Sequence, residues 1–160
     1  MHDSILSRQK KGILVKKIIL WTIIVLIAIQ FIRPKRTNPP VDQNIALHAP
    51  QDIQVILKKS CYDCHSNETK WPWYSNIAPI SWSVISHVND GRKALNFSKW
   101  TKIPNEIKTK RLKRAIKTTK NGMMPLSTYL WIHKNAILTK EEKKQIETWC
   151  ESELEKCKSN

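Results

Sequence analysis

Between Ile18 and Ile32 the chain reads IILWTIIVLIAIQFI, fifteen positions without a charged side chain. As a helix this run covers only about 22 Å, short of the roughly 30 Å of hydrocarbon in a bilayer. Extending it back to Ile13 reaches the full span, provided Lys16 and Lys17 snorkel toward the headgroups. The pattern therefore predicts a transmembrane helix over about 13–32, within a basic N-terminal segment 1–36. A cleaved signal peptide is the rival, but the run is followed by QFIRPKR and not by a small-x-small site. A buried core helix is a third reading. Arg8, Lys10, Lys11, Lys16 and Lys17 precede the span, and Arg33, Lys35 and Arg36 follow it, which favours the N-terminus inside and the remainder outside.

Beyond the span, RPKRTNPPVDQN mixes prolines with polar residues and predicts an extended tether over 37–49. From residue 50 the apolar positions recur at helical spacing. Pro50 stands near a helix start, with Ile53, Ile56 and Leu57 on one face and an end close to Cys61. A second helix is expected from about Ile80 to Leu95, with Ile80, Val84 and Val88 in register. A third, Asn105 to Lys120, aligns Leu112, Ala115, Ile116 and Thr119, and Gly122 supplies its stop. The last opens on a capping box, Thr139 with Glu142, and runs through Ile146, Trp149, Cys150 and Leu154. No segment alternates with period two. The expected fold is all-α, a small helical domain over 50–157.

Three glycines in 160 residues argue against a phosphate-binding loop and a turn-rich β-sandwich, while seven tryptophans supply a core. The formal charge of +15 changes the picture more. In residues 1–36, eight Lys or Arg stand against Asp3, giving +7 and leaving +8 for the rest. Nucleic acid, anionic lipid or an acidic protein could each answer such a charge. Residues 99–120 carry nine basic side chains against Glu106 alone. A solvated helix face is the plain reading; an acidic redox partner or anionic lipid is the functional one. An outward-facing domain meets no nucleic acid.

Two of the four cysteines fall in KKSCYDCHSN, as Cys61 and Cys64, with His65 directly after. Cys-x-x-Cys-His is the pattern of c-type haem attachment: two thiols one turn apart reach one porphyrin edge as thioethers, and the adjacent imidazole ligates the iron. A zinc site needs four ligands, and Cys150 and Cys157 are poorly spaced to provide the others. A redox dithiol expects a preceding strand, where this chain predicts a helix. Haem attachment of this kind takes place on the outer face of the bacterial cytoplasmic membrane, in agreement with the charge bias.

The iron's sixth ligand is sought in KNGMMPLSTY. Met124 precedes Pro125, whose fixed φ stiffens the loop, and is the candidate distal ligand. Met123, His87 and His133 are the alternatives, and core filling is the plain reading of both methionines. The other ring nitrogen of His65 needs an acceptor. Proline carbonyls commonly serve in c-type cytochromes, and Pro79, before Pro72, is the candidate.

The segments VILKKSCYDCHSN, WPWYSNIAPISW, HVNDGRKALNFSKW and MPLSTYLWIHKNAILTKEE, spread over roughly residues 41–149, carry a more specific signal. Together the chain resembles the haem-binding-domain family of small, membrane-anchored, single-haem c-type cytochromes. The resemblance implies a cytochrome c-like domain around one haem c, joined covalently at Cys61 and Cys64, with His65 proximal and Met124 distal to the iron. Met123 departs from the family, where a charged residue is common before the Met-Pro methionine, and Cys150 and Cys157 lie outside its pattern. Phe97 and Trp100 are expected to pack.

The expected function is a one-electron carrier, not an enzyme, anchored in the bacterial inner membrane with its haem domain in the periplasm. Met ligation would raise the potential relative to two histidines. Two other classes stand beside it: a haem enzyme or sensor whose Met124 leaves the iron to peroxide or a diatomic gas, and a zinc-stabilised interaction module.

Overall fold

The computed structural model describes residues 2–159, and their secondary structure is helical, with no strand among them. The all-α expectation holds. Helix α1 runs His2–Ala28 and passes into a 3₁₀ turn, Ile29–Phe31. Within it Lys11–Phe31, of mean hydropathy 2.4, is long and apolar enough to cross a membrane, as a span or as a signal sequence. Its apolar side chains from Ile13 to Ile27 are exposed, as a lipid-facing helix requires.

The chain divides into two units. One joins the N-terminal helix through Arg36 to Pro72–Ile85; the other comprises Thr37–Trp71 and the residues from Ser86 onward. Segment 72–85, expected in the helical domain, thus belongs with the N-terminal helix. Gln30 explains the pairing: its side-chain amide donates to the Ala78 carbonyl and accepts from the Ala78 N–H, both at 3.0 Å.

The second unit holds α2 (Gln51–Ser60), α3 (Tyr62–His65), α5 (Asn105–Lys120), α6 (Ser127–Leu130) and α7 (Lys140–Ser159). Pro50 caps α2, which buries Ile53, Ile56 and Leu57 as the periodicity predicts. α5 packs on α7, burying Leu112 and Thr119. The Gly122 stop is a Schellman turn: Gly122 lies at φ +70°, its N–H donates to Thr119, and Met123 N–H reaches back to Thr118. The capping box also forms, with Glu142 N–H on Thr139 Oγ1 at 3.1 Å and Thr139 N–H on Glu142 Oε2 at 2.9 Å. Lys59 pairs with Glu142 and ties α2 to α7.

Two expectations need correction. α4 (Ile80–Ala94) buries Val88 as predicted, but its other buried positions are Ser81 and Ile85, each next to the predicted Ile80 and Val84, and it leaves Ile80 exposed and Val84 half-buried. Helical spacing fixes the period but not which of two adjacent stripes meets a partner. The tether is also partly incorporated. Ala46 and Leu47 are buried, Leu47 N–H donates to Phe97 at 2.8 Å, and Thr101 N–H donates to Ile45 at 3.1 Å.

Candidate functional site

Cys61 ends α2 and accepts, through its carbonyl, from Cys64 N–H at 3.2 Å and His65 N–H at 2.9 Å. This single turn sets the two thiols and the imidazole side by side, all three half-buried. The turn is held from several directions. Tyr62 stacks on Phe97 with ring centroids 5.2 Å apart, and His65 lies 6.2 Å from the same ring. Phe97 leads through Trp100 to Trp149, so the packing roles expected of Phe97 and Trp100 hold.

Polar contacts fix the residues on the C-terminal side of the motif. Ser66 Oγ donates to the Tyr62 carbonyl, and Asn67 N–H donates to Ser98 Oγ. Asn96 Nδ2 donates to Asn67 Oδ1, so Ser66–Asn67 and Leu95–Ser98 lock together inside the core. Arg92 makes four bonds, to the Ser66 and Thr37 carbonyls, Asn38 Oδ1 and Thr69 Oγ1, at 2.7–2.9 Å. Neither Arg92 nor Asn96 stood out in the sequence.

The imidazole of His65 is oriented by a backbone carbonyl, that of Leu95, 3.0 Å from Nδ1. Pro79, the sequence candidate for this role, instead receives the Trp82 N–H at the start of α4. Burial pushes the His65 pKa down, against the pull of the Leu95 and Gly91 carbonyls, so the ring is neutral at pH 7. With Nδ1 engaged, Nε2 of a neutral ring is left as a metal-ligating atom.

Burial pushes the Cys61 thiol up to about 12, with Cys64 adding and Lys59 opposing. Burial likewise raises Cys64 to about 11, with Asp63 adding and Arg92 opposing. These are thiols, not thiolates. A reactive redox dithiol needs the opposite shift. Among the described residues no group of three or more His, Cys, Asp or Glu is placed to hold a metal ion. Cys150 is buried in α7, and Cys157 is half-buried on the same continuous helix; neither forms a disulfide.

The methionines come directly after the Schellman turn. Both Met123 and Met124 N–H groups donate to the Thr118 carbonyl, at 2.9 and 3.1 Å. Met123 is 51% exposed, whereas Met124 is half-buried. Their loop is tied to the Cys61–His65 turn by Tyr129, whose hydroxyl donates to Asp63 Oδ2 at 2.7 Å. His133 stacks on Tyr129, with centroids 4.2 Å apart, and His87 is exposed on α4.

The residues fit a haem. Two free thiols stand one turn apart, a neutral imidazole is held by Nδ1, and an aromatic wall flanks it. Ser60 Oγ, beside Cys61 in sequence, and Trp149 Nε1 are buried polar atoms without a protein partner. An all-α fold with this turn defines a haem-binding protein. A family model described as a haem-binding domain matches residues 24–152, and the chain belongs to that family. No curated protein and no solved structure matches it.

Proposed function

We propose that this haem protein is a membrane-anchored, monohaem c-type cytochrome that carries one electron at a time on the periplasmic side of the bacterial inner membrane. Haem bound here supplies a one-electron iron couple. Cys61 and Cys64 would hold the porphyrin edge as thioethers, His65 Nε2 would take one axial position, and Met124 sulfur the other. The chain's own part is to orient and to exclude water. Leu95 fixes the imidazole tautomer, and Phe97 and Tyr62 shield the ring. The Tyr129–Asp63 bond holds the methionine loop against the attachment turn. In this role no residue is asked to move a proton or activate a substrate. Lys110, Lys113, Arg114 and Lys117 are exposed on α5 and would steer an acidic redox partner.

The observation that carries this reading is an imidazole held through Nδ1 on the same turn as two free thiols. The Lys11–Phe31 stretch is long and apolar enough to span, the lack of a small-x-small site after it supports an uncleaved anchor, and thioether attachment outside the cytoplasm supports the orientation. The test is expression with the cytochrome c maturation machinery, then a haem stain on a denaturing gel. Staining at full-length mass, lost in Cys61→Ala/Cys64→Ala, is expected. An unstained full-length band would overturn covalent attachment, and a stained band shortened by the leader would overturn the anchor.

A further inference from the structure

The segment Pro72–Ile85 is built onto the end of the apolar N-terminal helix by three side chains. Gln30 closes a two-point amide pairing with the Ala78 backbone, Trp82 Nε1 donates to the Ile32 carbonyl at 2.8 Å, and Arg36 Nη1 donates to Ser75 Oγ at 2.9 Å. Gln30 and Ile32 flank Phe31, the last residue of the stretch long enough to cross a membrane. Whatever depth that stretch ends at, Ala78 shares it.

Tyr74, Ser75, Ala78, Ser81 and Ile85 are the buried residues of this segment. The other side turns large apolar groups outward. Trp73 is 73% exposed, Ile77 43% and Ile80 52%. Phe31 and Ile32 are exposed at the same level, and Arg33 and Lys35 come directly after. A cluster of this size and character is unusual on a water-facing surface. Tryptophan with isoleucine at the depth where a span ends, followed by a basic run, is the composition of a membrane interface with anionic headgroups. The Gln30 pairing also satisfies a backbone N–H and C=O that would be expensive to leave open there.

We propose that Trp73, Ile77 and Ile80 form an interfacial foot that inserts into the headgroup–acyl boundary of the lipid leaflet from which the domain emerges. The foot converts a single helix into a two-point attachment, fixing the rotation of the anchor about its own axis. Its occupant is an anionic lipid surface. The proposal rests on reading Lys11–Phe31 as a retained span.

The test is site-specific photocrosslinking in the full-length, haem-loaded protein, reconstituted in vesicles of phosphatidylcholine and phosphatidylglycerol. Benzoylphenylalanine replaces Trp73 or Ile77 in turn, with Trp21 as the reporter of the span and Val55, exposed on α2, as the water-facing control. Lipid adducts at 73 and 77 comparable in yield to those at 21, and none at 55, are expected. Adducts at 21 without any at 73 or 77 overturn the foot and leave the anchor standing. No adduct at 21 overturns the span and the foot with it. Adducts of 73 or 77 with protein or haem instead of lipid, or equal lipid adducts at 55, also overturn the proposal.

Discussion

Gly91 of α4 lies so close to the Cys61–His65 turn that a methyl group added at its Cα would sit 2.4 Å from the Cys64 carbonyl oxygen. Its own carbonyl also faces the His65 ring. Glycine inside a helix ordinarily weakens it, and replacement by alanine gains about 0.8–1.0 kcal/mol. Here the sign should reverse. Gly91→Ala must push backbone against backbone, and we expect a loss of about 1–3 kcal/mol in chemical denaturation, with less covalent haem per chain. A stabilised Gly91→Ala protein would show that the approach is not tight.

Tyr129→Phe removes the hydroxyl that joins the methionine loop to Asp63. A hydrogen bond to a charged acceptor contributes about 1.5–3 kcal/mol. The expected outcome is a stability loss toward the lower end, since Asp63 Oδ1 keeps its bond from Lys70 N–H. Ligand-field spectra of the oxidised protein should also show a smaller methionine-ligated fraction. Unchanged spectra would mean that the loop is held by other contacts.

Met124→Ala should lower the reduction potential and open the reduced protein to carbon monoxide, because thioether ligation favours the ferrous state. Met123→Ala, at an exposed side chain, should leave both unchanged. The reverse pattern would assign the sixth position to Met123. Carbon monoxide binding by the unaltered protein at low concentration would favour the sensor or enzyme reading.

Glu142 gives a pH dependence with a definite sign. Burial alone would raise its carboxyl pKa, but the Lys59 hydrogen bond, the Thr139 N–H and the Lys59 charge lower it overall. A folded value below the unfolded one contributes stability at pH above the unfolded carboxylate value, about 4.3, that is lost as pH falls through the folded value. Glu142→Gln keeps a capping side chain but drops the charge. We expect it to lose about 0.5–1 kcal/mol near pH 6 and to converge with the unaltered protein near pH 3, measured as the difference in urea midpoints. A constant difference across that range would show that the charge contributes nothing.

Much of the fold was legible in the sequence because it is local. The Thr139–Glu142 box, the Gly122 stop and the α2 stripe each depend on spacing within a few residues. The Cys61, Cys64 and His65 turn is of the same kind. The parts that were not legible depend on contacts distant along the chain. Leu95 serves His65 through a backbone carbonyl, which every residue type possesses, so nothing in its side chain marks it. The attachment of segment 72–85 to Gln30, and the burial of Ala46 and Leu47, come from long-range pairing. Gly91 did leave a trace, as one of only three glycines and the one inside a short amphipathic helix.

The carbonyl oxygen of Thr118 receives the N–H of both candidate methionines, and it belongs to the final turn of α5. The same helix carries the exposed cations Lys110, Lys113, Arg114 and Lys117. In the electron-carrier reading, a partner gripping those charges takes hold of the same end of the helix that anchors the methionine loop, Lys117 standing next to Thr118. On that reading, docking would bear directly on the loop that holds Met124, and recognition and the stiffness of the iron's sixth bond would be linked through one turn of helix.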